Sequence, residues 1–233
     1  MGDEGPLKLP GTLLFDLDGT LLDSLPGIRH SAHAAFEACG LEVGDVDLRS
    51  LIGPPIRTIL AHMARAHGSG GPSDADLDRL EKAFRASYDG EGWKMTPHYP
   101  GAVELLREMR ANGKRLFVVS NKPRHISVKI LEAQGTMGLF KEIATRDSRD
   151  PWFKDKREMM HSLVERHDLQ LQDSMMIGDT MEDAEAASDI GMKFCLMTHG
   201  YGDVPDGSDA PVHFRFDHFS QLMPILAQEQ SID

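Results

Sequence analysis

Residues 13–24, Leu-Leu-Phe-Asp-Leu-Asp-Gly-Thr-Leu-Leu-Asp-Ser, constrain the fold of this chain more than any other stretch. Thr12–Phe15 is a short, nearly continuous apolar run, which predicts a strand buried on both faces, as in a parallel sheet. Directly after it come Asp16, Asp18 and, beyond Gly19, Asp23. Carboxylates crowded at the end of a buried strand repel one another and resist losing water. A solvent-facing turn or a bound cation has to compensate. A calcium loop of the EF-hand type does not serve, because its glycine position falls on Leu21 and its bidentate glutamate position on Gly27.

After Ser24 the texture turns helical. Ser24 to Gly40 reads as one helix, Pro55 to His67 as a second, and a third is capped by Ser73 or Asp74, carries Leu77, Leu80 and Phe84, and ends near Gly90 and Gly92. From Pro97 onward helices and strands alternate. Helix 101–113 leads to strand 115–121, helix 122–135 to strand 142–146, helix 155–169 to strand 174–179, and helix 181–191 to strand 193–198. Such alternation predicts an α/β fold, a doubly wound parallel sheet covered by helices on both faces. The first strand belongs to that sheet, so residues 1–23 and 95–233 form the expected core domain and residues 24–94 an inserted helical cap.

Open α/β sheets bind ligands at the carboxyl ends of their strands, where the strand order reverses. The residues leaving the strands are Asp16-Leu-Asp18-Gly-Thr20, Ser120-Asn121-Lys122, Gly178-Asp179-Thr180 with Asp183 one helical turn on, and, from the outermost strand, Thr198-His199-Gly200. Each piece has an ordinary structural reading: a turn, a helix cap, an acidic first helical turn. Together they put carboxylates, hydroxyls and a lysine on one edge of an apolar sheet.

The motifs DLDGTLLDS (16–24), VVSNK (118–122) and MMIGDTMED (175–183), in that order, resemble motifs one, two and four of the haloacid-dehalogenase superfamily of phosphohydrolases. HYPGAVELLREM (98–109) and LIGPPIR (51–57) resemble its phosphoglycolate-phosphatase-like branch. The resemblance implies a phosphatase of a small phosphomonoester. In it Asp16 is the nucleophile and Asp18 the acid that protonates the leaving oxygen, then the base that activates water. It gives Mg2+ the side chains of Asp16 and Asp179 and the backbone carbonyl of Asp18. Asp183 supports that shell, and Thr20, Ser120 and Asn121 bond the phosphoryl oxygens and the nucleophile. Magnesium, which favours hard oxygen ligands, also answers the question of the clustered acids. A dehalogenase is disfavoured by Asp18; a phosphomutase of the β-phosphoglucomutase type shares the aspartate pair, and a non-catalytic phosphate sensor would not need the full set.

The family lysine departs from pattern, because no Pro follows it. Lys154 and Lys156 both lie in FKDKREMM (153–160); a capping pair of Asp155 and Glu158 would put Lys156 at the first helical position, and that makes it the expected active-site lysine. Arg57, after GPP, could meet an anionic group of the substrate or sit on a helix exterior. His30 and His33 share a helix face with no third ligand, which suits a surface or packing role. Thirteen methionines suit an adaptable core. A net charge of −12 with no basic patch argues against nucleic acid or an anionic membrane as partner. Residues 1–10 lack the pattern of a signal peptide, and only Cys39 and Cys195 occur, so a cytoplasmic setting is expected. Neither the substrate nor the oligomeric state is written in these patterns.

Overall fold

The structure, a computed structural model, describes residues 9–43, 46–65 and 71–229. All residues of β1 (Thr12–Phe15) are buried because alternate side chains enter different layers. Leu13 and Phe15 join Leu116, Val118, Ile143 and Ile177 in one apolar layer, closed by helices α4 (Ala102–Ala111) and α5 (Arg124–Ala133). Leu14 joins Phe117, Val119, Met176 and Phe194 in the other, closed by α6 (Lys156–His167) and α7 (Met181–Asp189). The unbroken apolar run is thus the signature of two cores meeting at one strand.

The sheet contains β1, β2 (Arg115–Ser120), β3 (Glu142–Thr145), β4 (Ser174–Gly178), β5 (Lys193–Met197) and β6 (Phe214–Phe216). Its order is β3-β2-β1-β4-β5-β6, and every pairing is parallel. The chain steps outward from β1 through β2 to β3, then crosses back to β4 on the other side of β1. The order therefore reverses beside β1, and Phe15 pairs with both Val118 and Ile177. That register brings the residues leaving β1, β2 and β4 to one edge.

Between β1 and α4 lie α1 (Leu25–Ala38), α2 (Ile56–Arg65) and α3 (Asp74–Gly90). Ser73 caps α3 through a reciprocal pair with Asp76. The expected end of the second helix at His67 lies outside the described residues, as do residues 1–8 of the segment read for a signal peptide. Ile28, Phe36, Leu60, Leu80 and Phe84 of this insert belong to the same continuous apolar cluster as Leu13 and Phe15.

One expectation is corrected. β5 is not the outermost strand, because β6 pairs beyond it. β6 has three residues, two half-buried phenylalanines around an exposed Arg215, too short a run to stand out in sequence.

Candidate active site

Asp16 ends β1 and is 5% exposed. Its Oδ2 meets Lys156 Nζ at 2.8 Å, while Oδ1 is buried without a hydrogen-bond partner. Lys156 is the first residue of α6, whose N-cap Asp155 accepts the Glu158 N–H at 2.8 Å. The Glu158 carboxylate turns to the Lys154 N–H (3.0 Å) and Arg149 (2.7 Å), so only half of the expected capping pair forms. That half suffices to point Lys156 inward. Lys154 stays outside, 84% exposed and 3.9 Å from Glu158.

Two more carboxylates complete the buried group. Asp183 accepts from Lys156 Nζ at Oδ1 (2.7 Å) and from the N–H and hydroxyl of Thr180 at Oδ2 (3.1 and 2.6 Å). It is therefore both the reciprocal partner of the N-cap Thr180 in α7 and the second anchor of Lys156. Asp179 is fully buried; its Oδ1 accepts the Thr20 hydroxyl (2.9 Å), and its Oδ2 accepts the N–H groups of Tyr201 (2.8 Å) and Gly202 (3.2 Å). Gly19 makes room for this carboxylate. Its φ of 87° lies in the left-handed region, and a Cβ there would strike the Asp179 oxygens.

Charge in this cluster is unbalanced. Asp16, Asp179 and Asp183 each offer an oxygen within 4.8 Å of the others, and the one ammonium among them, Lys156, pairs with Asp16 and Asp183 but not with Asp179. Burial, with the neighbouring aspartates and despite Lys156, pushes the Asp16 carboxyl from 3.8 up to about 7. Burial and Asp183 push Asp179 up to about 6, against the pull of the Tyr201 N–H, Thr20 and Lys156. An unpartnered buried carboxylate oxygen among crowded acids is the environment a hard divalent cation relieves, and the all-oxygen donor set fits magnesium.

Asp18 stands on the open side, and Lys122 Nζ lies 3.0 and 3.2 Å from its two oxygens. Ser120 is buried, with its Oγ accepting the Lys122 N–H at 3.3 Å. Asn121 donates to Glu182 at 2.8 Å and keeps a buried Oδ1 without a partner. Asp16, Asp18, Ser120, Asn121 and Lys156 all line one cavity of about 490 Å³ between the sheet edge and the helical insert. Thr20 does not line it; its hydroxyl serves Asp179. Arg57 does not either. It faces Asp78 (2.5 Å) and Asp74 (3.3 Å) on α3, so of its two readings the helix exterior holds. His30 and His33 are exposed on α1.

The model of the haloacid dehalogenase-like hydrolases matches residues 13–197. The chain belongs to this family. It is an enzyme, a hydrolase of the phosphatase type. It is 30% identical over 219 residues to the phosphoglycolate phosphatase of Cereibacter sphaeroides, covering 94% of this chain and 98% of that one. Among solved structures it resembles a predicted phosphoglycolate phosphatase of Haemophilus somnus, with a TM-score of 0.81 and 25% identity over 95% of this chain and 99% of the other. It also resembles Protein Tyrosine Kinase A of Mycobacterium tuberculosis, with a TM-score of 0.76 and 29% identity over 94% and 99%.

The sequence left two cavity residues of this haloacid dehalogenase-like hydrolase without a role. Lys122 follows Ser120-Asn121 directly, yet only the folded chain shows that its ammonium is buried against Asp18. Arg146, at the end of β3, lines the cavity with its Nε donating to the Phe153 carbonyl at 3.3 Å. The other cavity-lining basic side chains face carboxylates: Lys122 faces Asp18, Lys156 faces Asp16 and Asp183, Arg85 faces Glu81, and His125 faces Asp89. No ion pair of Arg146 is found among the described residues.

Proposed function

We propose that this enzyme hydrolyses a small soluble phosphate monoester, with phosphoglycolate the first substrate to try, through an aspartyl-phosphate on Asp16. The observation that carries the reading is the state of Asp16. It lines the cavity directly after β1, oriented by Lys156 through one oxygen, with Asp18 lining the same cavity beside it. The Asp16 carboxylate attacks phosphorus, and the ester oxygen leaves with a proton from Asp18. Asp18, now a carboxylate, takes a proton from water, which attacks the same phosphorus and frees Asp16 and inorganic phosphate.

Magnesium would be held by the side chains of Asp16 and Asp179 and the carbonyl of Asp18, where it supplies positive charge against the phosphate dianion. Lys156 favours the ionised form of Asp16 against the effect of burial and orients it; Asp183 holds Lys156. The Ser120 hydroxyl and the second N–H of the Asn121 amide are the donors offered to the phosphoryl oxygens, and Thr20 fixes Asp179. Residues 24–94 act as a cap that covers the ester and excludes water. Two unpaired cysteines suit a reducing cytoplasm.

The test is phosphate release with magnesium across phosphoglycolate, sugar phosphates, nucleotides and pyrophosphate, with and without chelator. Magnesium-dependent release from at least one ester supports the reading, and no release from any would remove it. The likeness to a tyrosine kinase favours one second reading, transfer of the phosphoryl group to a hydroxyl other than water. Product phosphate would then rise only when such an acceptor is absent.

A further inference from the structure

The cap helix α3 reaches into the chemistry at one point. Tyr88 is 4% exposed, and its hydroxyl lies 2.9 Å from Lys122 Nζ and 3.1 Å from the hydroxyl of Thr96, a fully buried residue just past the insert. Its ring stacks on Phe84 with centroids 5.4 Å apart, and Lys122 Nζ also sits 4.8 Å from the Tyr88 ring centroid. Lys122 is 6% exposed, and the same ammonium spans both oxygens of Asp18. Three segments far apart in the chain therefore meet in one chain of polar contacts: Thr96, Tyr88, Lys122, Asp18.

A buried ammonium must be met by acceptors, because a charge taken out of water without them is strongly disfavoured. Lys122 finds its acceptors in Asp18 and Tyr88. Its four-carbon stem is flexible, and an ammonium is a point charge without the fixed fork of a guanidinium, so the acceptors set where it sits. Asp18 has no other side-chain partner among the described residues, which makes the ammonium the group that orients its carboxylate.

We propose that Tyr88 and Lys122 are positioning residues for Asp18, with the cap hydroxyl fixing the ammonium and the ammonium fixing the carboxylate for proton exchange with the leaving oxygen. The proposal rests on the acid–base reading of Asp18. A consequence is that the cap does more than select the ester: acid catalysis is complete only with α3 seated on the sheet edge.

Tyr88→Phe is the test, since it keeps the stacked ring and removes only the hydroxyl. Rates of phosphoenzyme formation are measured in single turnovers with an alkyl phosphate and with 4-nitrophenyl phosphate, whose leaving group needs little protonation. We expect about a tenfold loss with the alkyl ester, a part of the roughly 10²–10⁴-fold that acid–base catalysis supplies, less than twofold with the nitrophenyl ester, and KM values within about twofold. Lys122→Met should show the same selectivity with a larger loss. Equal losses on both esters, or a rise in KM alone, would make Lys122 a phosphate-binding group and overturn the proposal. No loss in Tyr88→Phe would do the same. Asp18→Asn separates the two levels. If it lacks the selectivity, the acid–base reading fails; if it shows the selectivity and Tyr88→Phe does not, only the positioning fails.

Discussion

Replacing Lys156 by Met deletes the ammonium that two buried carboxylates share while keeping most of the side-chain volume. Its side chain is 3% exposed, against 7% for Asp16 and 0% for Asp183, so water cannot take its place freely. Removing one partner of a buried ion pair costs about 3–5 kcal/mol. In a domain of this size each kcal/mol lowers Tm by about 2–4 °C, which predicts a fall of about 6–20 °C. Lys156 is also the largest influence drawing the Asp16 carboxyl back down. Without it the nucleophile is more fully protonated, and the loss of one electrostatic stabiliser costs a further 10²–10³-fold in rate, roughly. Lys154→Ala provides the contrast: an exposed pair 3.9 Å apart contributes about 0–1 kcal/mol. Thermal unfolding and phosphate release are measured on both variants. Wild-type Tm and activity in Lys156→Met, or a greater loss in Lys154→Ala, would mean that the Lys156 ammonium does not hold this cluster together.

Three further outcomes are expected. Asp16 and Asp179 have folded carboxyls raised from 3.8 to about 7 and about 6, so the stability they permit is fully present below about pH 4 and is lost as pH rises toward 7. Metal that binds the ionised forms should therefore raise Tm more near pH 7.5 than near pH 5, and an equal gain at both would contradict the buried-acid account. Asp179→Ala should raise the magnesium concentration needed for half-maximal activity, whereas an unchanged titration would remove Asp179 from the metal site. Arg57→Ala should leave kcat/KM unaltered on every ester, because its guanidinium is spent on α3, while Arg146→Gln should raise KM for esters carrying a second negative group and spare 4-nitrophenyl phosphate; the reverse pattern would return specificity to Arg57.

The sheet was legible because buried parallel strands write themselves as apolar runs, and the acids at the ends of β1 and β4 stand out against such runs. Lys156 was legible for a local reason, the Asp155 cap, which fixes the start of α6. What escaped was partner choice between distant segments. Nothing near Thr20 says that its hydroxyl goes to Asp179, 159 residues on. Nothing near Tyr88 says that it meets Lys122. Arg57 was ambiguous because the acids it pairs with lie on a different helix, and β6 escaped because three residues carry too little pattern to separate from a loop.

The phosphoryl group, on this mechanism, visits Asp16. The direct measurement is peptide mass spectrometry on enzyme in excess of the best ester from the substrate screen, mixed with magnesium and quenched in acid at successive times within one turnover. Phosphate should appear on the peptide that contains Asp16, rising before free phosphate, decaying as free phosphate appears, and missing from Asp16→Asn. Free phosphate released at the full rate with Asp16 unmodified throughout, or the label on another residue, would contradict it.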